Sequence, residues 1–379
     1  MKSIAFYVKT TPLIKGGIER LVACISNYLC NQYMVYIIAD SNKGEPYPFV
    51  LDEKIKLINI PFRRDNKFIA ELKAFIDTKK IELVVIMRTG GDIVQVFSAA
   101  TYETNCKIVF SEHCAPNIAE NEYKNKTRDL VAHCADFIHL LATEYITSIP
   151  TYLRSRVFSI PNYYDFENTN IPTITERKNR IVMVGRLTRT QKRPLLLLEA
   201  FNKLPKQYQD QWELHFFGEG PEKTHLENYV NNFKINNVFF RGQIEDVKQE
   251  LIKAKLFCLP SAYEGLSIAL IEALACGLPC IVFKNSPGNN IVIKNNYNGL
   301  LSSEDNLAET ILHAISDEEL LIKLSKGAYE SSQKYSKERI MNNWGEFIKF
   351  CLQQNKISNC HLYQKKYFTD IVTKYYMEM

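Results

Sequence analysis

The sequence predicts an α/β protein with two doubly wound parallel-sheet domains, and three observations support this class. Short apolar runs alternate with helical patterns along most of the chain. The 379 residues are enough for two domains of ordinary size, each with its own core. The composition, 46% hydrophobic and 23% charged, is that of a folded globular protein.

The apolar runs predict the strands of two sheets. In the first half the predicted strands are residues 4–8, 35–38, 83–87, 107–110 and 137–140, the last continuing into 157–160. In the second half they are residues 181–184, 213–217, 238–240, 256–259 and 280–283. The polar segment 161–179 contains Pro161 and Pro172, lacks periodicity and is predicted to be the linker. The predicted domains are therefore 1–165 and 166–345, followed by a helix and tail at 346–379 that pack back on the first domain or contact a membrane.

Charge and composition exclude several classes of protein. The net charge of +5 is too small for the basic excess of a nucleic-acid binder. The first apolar run is too short for a signal peptide, and no later run approaches a membrane span, which predicts a cytoplasmic protein. Ten cysteines without a Cys-x-x-Cys pair, among them Cys258 and Cys280 in apolar runs, indicate reduced core residues and no zinc or other metal site.

The most informative stretch is 260–279, which places two carboxylates around a predicted helix start. An apolar run at 257–259 predicts a strand, apolar spacing from Leu266 onward predicts a helix, and Gly277 ends it. A helix that begins near 265–267 presents unpaired backbone N–H groups, which form a seat for a phosphate. Glu264 lies just before this seat and Glu272 two turns into the helix, so one can bind a hexose hydroxyl and the other a ribose. This arrangement suits a nucleotide sugar.

A purely structural interpretation of the two carboxylates also fits the sequence alone. In that interpretation Glu264 complements the helix dipole and Glu272 is a solvated surface residue. A single motif does not decide between the two.

The stretch resembles the Glu-x7-Glu signature of retaining glycosyltransferases of the GT-B fold, and is most similar to family 4. The resemblance covers most of residues 1–350. It implies two Rossmann-like domains facing across a cleft, with the acceptor on the N-terminal side and the nucleotide-sugar donor bound by the C-terminal domain. It also implies binding of the donor at the helix start by Gly265, Leu266 and Ser267.

Further matches follow the first strand of the second half, in residues 184–194. In the family, the arginine matching Arg186 and a lysine a few residues later contact the donor diphosphate beside the glycine that matches Gly185. The loop is one residue longer than the common pattern, so Lys192 or Arg193 fills the second role, with Arg189 a weaker candidate. A solvated basic loop is the alternative.

The turn at 217–221 matches a Gly-x-Gly-Pro turn of the family, and 240–243 resembles the segment that borders the nucleobase. Gly242 and Gln243 are the candidates there, although a plain strand-to-helix turn explains this segment nearly as well. One departure affects the donor sugar's surroundings. The family's Gly-Gly-x-x-Glu loop is replaced by 285–290, which reads Asn-Ser-Pro-Gly-Asn-Asn.

In the first half, Gly16 and Gly17 lie between the first strand and a helix, where the family has a loop against the donor phosphates and the acceptor. A turn that requires glycine is compatible with that role. His113 follows the strand at 107–110 and matches a histidine that reaches the transferred sugar, although a lone histidine at a strand end is more often structural. Arg88 is a candidate acceptor contact or a surface residue.

The predicted function is transfer of a hexose from a nucleoside diphosphate sugar, UDP rather than GDP, to a glycan or lipid-linked glycan. The product would be a cell-surface polysaccharide such as capsule or lipopolysaccharide. The resemblance implies a retaining, metal-independent reaction without a cofactor, in which Glu264, His113, Arg186 and Lys192 serve catalysis. The alternatives are a noncatalytic GT-B scaffold of a glycan-assembly complex and a GT-B-type nucleotide-sugar epimerase.

A lipid-linked acceptor would be met at the inner face of an anionic membrane, and three basic and apolar segments are candidates for that contact. They are the helix after Phe62, with Phe68, Leu72 and Ile76 on its apolar side, the cations around 124–128, and the tail 361–379. Each could equally be an ordinary surface.

Overall fold

The computed structural model describes residues 1–9, 16–41, 44–63, 65–87, 91–116, 132–166, 171–244 and 246–357. The chain divides into two compact units, which are described separately: unit 1 comprises 1–160 with 341–379, and unit 2 comprises 161–340. Within the described ranges, no helix combines the length and the apolar character needed to cross a membrane.

Unit 1 is built on a seven-stranded parallel sheet with the strand order β3-β2-β1-β4-β5-β6-β7. Its strands are β1 Ser3–Lys9, β2 Met34–Asp40, β3 Lys56–Asn59, β4 Ile81–Ile86, β5 Lys107–Glu112, β6 Phe137–Leu140 and β7 Val157–Ser159. The central strands β1 and β4 are almost entirely buried, as expected when helices cover a parallel sheet. The order reverses between β1 and β4, which is the doubly wound pattern.

The helices of unit 1 carry their apolar residues at helical spacing and turn them to the core. Those of the described ranges are α1 Gly17–Leu29, α2 Asn66–Lys79 and α3 Gly91–Thr101, together with most of the helix at 337–353. In α1 the buried residues include Leu21, Val22, Ile25 and Leu29, the face that the sequence predicts. Asp65 caps α2 by accepting from Phe68 N at 2.6 Å.

Unit 2 repeats the pattern with a six-stranded parallel sheet, ordered β10-β9-β8-β11-β12-β13. Its strands are β8 Lys178–Val184, β9 Glu213–Phe217, β10 Val238–Phe240, β11 Ala254–Leu259, β12 Cys280–Phe283 and β13 Gly299–Ser302. The order reverses between β8 and β11, so this sheet is also doubly wound. Cys258 and Cys280 are fully buried thiols on adjacent central strands.

The helices that follow the strands of unit 2 are mostly short. They are α4 Pro194–Asn202, α5 Lys206–Gln211, α6 Lys223–Phe233, α7 Val247–Leu251, α8 Ile268–Ala275, α9 Asn289–Val292, α10 Leu307–Ile315, α11 Glu318–Ser332 and α12 Lys337–Gln353. Helix α12 begins in unit 2 and continues into unit 1. The buried guanidinium of Arg177 donates to Cys276 O at 2.7 Å and so satisfies a carbonyl at the end of α8.

The predicted fold class and strands agree with the structure, with four differences in detail. Strands β3 and β13 are edge strands that the sequence analysis missed, because each contains only two consecutive apolar residues. The predicted continuation of 137–140 into 157–160 is wrong, since β6 and β7 are separate parallel strands. The predicted linker is too long, because Lys178 already begins β8 and Asn162 donates to Leu266 O within unit 2. The units divide at 160/161 and 340/341, not at the expected 165/166 and 345/346.

Of the three segments considered for membrane contact, only α2 is described. Its apolar residues Phe68, Leu72 and Ile76 are buried, which favours an ordinary surface helix. The cations around 124–128 and the tail 361–379 lie outside the described residues.

Candidate functional site

The candidate site of unit 2 lies where the order of its sheet reverses. Strands β8 and β11 are neighbours there, and the loops that follow them leave the sheet at its carboxyl edge. Open α/β sheets bind ligands in the crevice at such a point. The loop after β8 carries Arg186 and Lys192, and the loop after β11 carries Glu264.

Glycines allow the loops after β8, β9 and β10 to approach one another closely through their backbones. Gly218 donates its N–H to Gly242 O at 2.7 Å, and Gly185 donates to Phe217 O at 2.9 Å. Gly218 has φ +136°, and a Cβ on it would lie 2.1 Å from Gly185 O. Only glycine fits there, so the turn at 217–221 is fixed against the loop after β8.

The basic loop after β8 is held by its own backbone. Lys192 N donates to Thr188 Oγ1 at 3.2 Å, and Arg193 N donates to Thr188 O at 2.8 Å. Ala262 N, in the loop after β11, donates to Gln191 O at 2.8 Å. These bonds connect the two loops at the switch point.

Lys192 and Glu264 form an ion pair across the switch point. Lys192 Nζ lies 2.7 Å from Glu264 Oε1, and the two side chains are only 13% and 8% exposed. Glu264 Oε1 is itself buried, so the lysine ammonium lies against it inside the protein. The lysine side chain also passes Gly185, where a Cβ would lie 3.1 Å from Lys192 Cε. The pair is therefore buried and places two opposite charges at the switch point.

Helix α8 begins at Ile268, close to the predicted start. Ser267 is its N-cap and its hydroxyl accepts from Leu270 N at 3.4 Å. Leu266, just before the cap, is buried and its carbonyl accepts from Asn162 Nδ2 at 2.7 Å. Gly265 packs against the next loop, since a Cβ on Gly288 would lie 2.5 Å from Gly265 O.

Glu272 lies in the second turn of α8 and is only 5% exposed. The alternative interpretation, in which it is a solvated surface residue, is wrong. The other buried residues of α8 are apolar. A buried carboxylate among them needs polar partners that offset the cost of its burial.

The three candidate cations of the basic loop have different surroundings. Arg186 is exposed and makes no hydrogen bond or ion pair with the residues that the structure describes. Arg193, at φ +51°, turns away and pairs with Glu304. The structure therefore brings Lys192, not Arg193, to Glu264.

The segment bordering β10 is more open. Gly242 has φ +66° and is half-buried, and Gln243 is exposed. A Cβ on Gly242 would lie 2.9 Å from Glu219 Oε1, so this turn also requires glycine.

Two polar residues near the site were missed by the sequence analysis. Ser261 Oγ and Asn289 Oδ1 are buried and have no hydrogen-bond partner among the described residues. Ser261 lines a cavity of about 90 Å³, together with Arg193, Ser286 and Ser302. Asn289 belongs to the loop 285–290, which replaces the family's Gly-Gly-x-x-Glu loop. This difference from the family pattern was the feature of the sequence that could have drawn attention to Asn289.

In unit 1, the predicted site residues lie at the carboxyl edge of the first sheet. Gly16 is the N-cap of α1 and Gly17 its first residue. His113 follows β5 and is half-buried, and its Nε2 lies 2.9 Å from Ser111 Oγ. Burial and the neighbouring His139 lower the pKa of His113 to about 3, so the imidazole is neutral at pH 7. Arg88 lies outside the described residues.

Across the ranges that the structure describes, no three His, Cys, Asp or Glu side chains are grouped so that they could hold a metal ion.

Comparison with known proteins identifies sequences and structures that are similar to this chain. Residues 165–331 match the family model of glycosyl transferases group 1. The chain is 27% identical to an uncharacterized glycosyltransferase of Haemophilus influenzae, over 91% of this chain and 99% of that protein. It is also 27% identical, over 92% of this chain and 98% of the relative, to a Campylobacter jejuni alpha-1,4-N-acetyl-D-galactosaminyltransferase whose name gives a PP-undecaprenol-linked glycan.

The fold has solved counterparts. Anabaena HepE, solved in complex with UDP and glucose, superposes with a TM-score of 0.75 over 92% of this chain and 100% of that chain, at 16% identity. The two parallel-sheet units and this likeness show a GT-B fold, as the sequence predicts. Together with the family match, the relatives support a group 1 glycosyltransferase.

The contact between Gly218 and Gly185 predicts an effect on stability. Gly218→Ala should destabilise the protein by more than about 1 kcal/mol, because alanine both resists a positive φ and meets a carbonyl oxygen. Gly277→Ala is the matched control: its φ is +59°, but a Cβ would meet nothing closer than 3.4 Å. Urea unfolding should show a clearly larger loss for Gly218→Ala than for the control. Equal losses would mean that the backbone contact contributes nothing.

Buried His139 predicts a dependence of stability on pH. Burial lowers its pKa from 6.5 to about 4, so below pH 6.5 the unfolded chain binds a proton that the folded chain does not. The free energy of unfolding should therefore fall as the pH is lowered from 6.5 to 4, by about 3 kcal/mol for this residue. In His139→Leu the slope between these pH values should be shallower, measured by urea unfolding. The exposed His225→Leu is the control, and a slope unchanged in His139→Leu would contradict the assignment.

Proposed function

We propose that the protein is a retaining, metal-independent glycosyltransferase that moves a hexose from a nucleoside diphosphate sugar to a glycan or lipid-linked glycan. The observation that carries this proposal is the Lys192–Glu264 pair at the switch point of unit 2, beside the start of α8 and with Glu272 buried in that helix. A nucleotide sugar has a diphosphate between a hexose and a ribose. The cation and the helix start suit the diphosphate, and the two carboxylates suit the two sugars.

The donor diphosphate would lie at the first turn of α8. Helix α8 begins at Ile268 after its N-cap Ser267, and the helix dipole favours an anion at this end. Lys192 lies close to this turn through its contact with Glu264, and Arg186 is exposed without a partner in the described ranges. Two cations and a helix start can stabilise the charge that a departing nucleoside diphosphate accumulates.

The two carboxylates would bind the sugars at either end of the diphosphate. We assign Glu264, which Lys192 contacts at the switch point, to a hexose hydroxyl, because a carboxylate accepts hydrogen bonds. Glu272 would hold the ribose hydroxyls, and the turn at Gly242 and Gln243 would border the base. UDP is the proposed nucleotide, and the Anabaena relative in fold was solved with UDP.

The reaction would proceed on one face of the sugar. The bond from the anomeric carbon to the donor phosphate breaks as the acceptor oxygen attacks, and a phosphate oxygen takes the acceptor's proton. No carboxylate nucleophile is needed, and Glu264 is engaged by Lys192. Fixed cations replace a metal in this scheme. In unit 1, we assign His113 to the transferred sugar and Gly16 and Gly17 to the donor phosphates and acceptor.

A lipid-linked acceptor for a cell-surface polysaccharide is the proposed second substrate. The support is the Campylobacter jejuni relative, whose name specifies a PP-undecaprenol-linked glycan. Such an acceptor would place the protein at the cytoplasmic face of an anionic membrane, in peripheral contact.

A donor panel tests this function. Purified protein is incubated with UDP- and GDP-hexoses, with and without a lipid-linked glycan acceptor, and products are scored for transfer, hydrolysis and epimerisation. We expect acceptor-dependent transfer with retained anomeric configuration, unchanged by EDTA, and a loss in kcat of about 10²–10³ in Arg186→Ala. The exposed Arg339→Ala is the control. Epimerisation without acceptor, inversion, or a requirement for a divalent ion would overturn the corresponding part of the proposal.

The role of Glu272 can be measured without any acceptor. Glu272→Ala should weaken binding of the free nucleoside diphosphate by about 1.5–3 kcal/mol, the usual contribution of a hydrogen bond to a charged group. Calorimetry gives the dissociation constant, and Glu309→Ala, an exposed carboxylate of the same unit, is the control. An unchanged affinity in Glu272→Ala would remove this residue from the site.

A further inference from the structure

A chain of hydrogen bonds leads from His113 into the core of unit 1. Ser111 Oγ lies 2.9 Å from His113 Nε2 and 2.7 Å from His139 Nδ1. His139 Nε2 lies 2.8 Å from Ile160 O. Ser111 and His139 are opposite each other in the pairing of β5 with β6, and both are fully buried. The series of hydrogen bonds therefore connects the carboxyl ends of the adjacent strands β5, β6 and β7.

The direction of every bond in this chain follows from its last member. Ile160 O can only accept, so His139 Nε2 must carry a proton. His139 is neutral, because burial lowers its pKa to about 4, so its Nδ1 has a lone pair and accepts from Ser111. A serine hydroxyl has one hydrogen, which leaves its oxygen as acceptor for His113 Nε2–H. In a neutral His113 the remaining nitrogen, Nδ1, is then unprotonated.

We propose that Ser111 and His139 are positioning residues that hold His113 in the Nε2–H tautomer, so that Nδ1 accepts a hydrogen bond from the substrate. The proposal rests on the proposed function for the identity of that substrate. Nδ1 of His113 has no hydrogen-bond partner in the described ranges. The group opposite it must donate, so it is a sugar hydroxyl and not a carboxylate or phosphate oxygen.

The residues packed around His139 keep this series of hydrogen bonds in place. The ring of Trp344, fully buried in α12, lies 4.6 Å from the ring of His139, centroid to centroid. With Ile160 O at one ring nitrogen and Ser111 at the other, His139 has no other orientation that satisfies both atoms. The tautomer of His113 is thereby set by a backbone carbonyl two side chains away.

The first test is a spectrum of the free protein. Long-range proton–nitrogen NMR distinguishes protonated from unprotonated imidazole nitrogens, and comparison with His113→Gln assigns the signal. We expect Nε2 protonated and Nδ1 unprotonated in the wild type at pH 7, and a shift toward the other tautomer in Ser111→Ala. Ser111→Thr, which keeps the hydroxyl, should restore the wild-type spectrum. An Nδ1–H tautomer in the wild type would overturn the proposal even if Ser111→Ala fails to fold.

The second test uses activity. Ser111→Ala should lower kcat/KM by about 3- to 10-fold, the effect of one hydrogen bond, and should have no further effect in the His113→Gln background. Ser26→Ala is the matched control, since Ser26 is a fully buried serine of the same unit whose hydroxyl has no hydrogen-bond partner among the described residues. An equal loss for Ser111→Ala in both backgrounds would show a merely structural role.

The two tests separate the failure of this inference from the failure of the proposed function. The spectrum needs no substrate, so it decides the tautomer even if no donor is turned over. A wild-type Nε2–H tautomer in a protein without transferase activity would leave the hydrogen-bond chain correct and the substrate assignment wrong.

Discussion

All strands of both sheets run parallel, so in each unit they end at one edge. This constraint determines where chemistry can be placed. Residues that are far apart in sequence, such as Lys192 and Glu264, meet because β8 and β11 are neighbours at the point where the strand order reverses. In unit 1 the same constraint brings Ser111, His139 and Ile160 together at the ends of β5, β6 and β7.

In the Lys192–Glu264 pair of the candidate site, the burial of each charge depends on the presence of the other. A carboxylate that is 8% exposed would be costly without a cation beside it, and a lysine at 13% exposure would be costly without an anion. Each makes the burial of the other possible, and Gly185 leaves room for the lysine to reach across. The pair therefore stabilises the loops and also keeps two charges close to the start of α8.

The sequence was sufficient for the strands with strong apolar runs and for the start of α8 just after Glu264. It left Lys192 and Arg193 as alternatives, and the structure places Lys192 beside Glu264. The sequence was insufficient where a position depends on register or burial. The pairing of Ser111 with His139 requires the alignment of β5 with β6, and neither residue carries a motif. Whether Glu272 is solvated was likewise undecidable from spacing alone, because burial depends on what packs over α8. The edge strands β3 and β13 were missed because the apolar run in each is only two residues long.

Helix α12 gives unit 1 a discontinuous sequence. Trp344 packs on His139, Tyr28 donates to Asn342 at 2.6 Å, and Lys107 Nζ donates to Leu352 O at 3.3 Å. Unit 2 is thus inserted between two parts of unit 1. During synthesis on the ribosome, the first sheet must wait for α12 until all of unit 2 has been made, whereas unit 2 is a single continuous stretch. Synthesis of unit 1 therefore begins first, but unit 2 is the first unit whose core residues have all been synthesised.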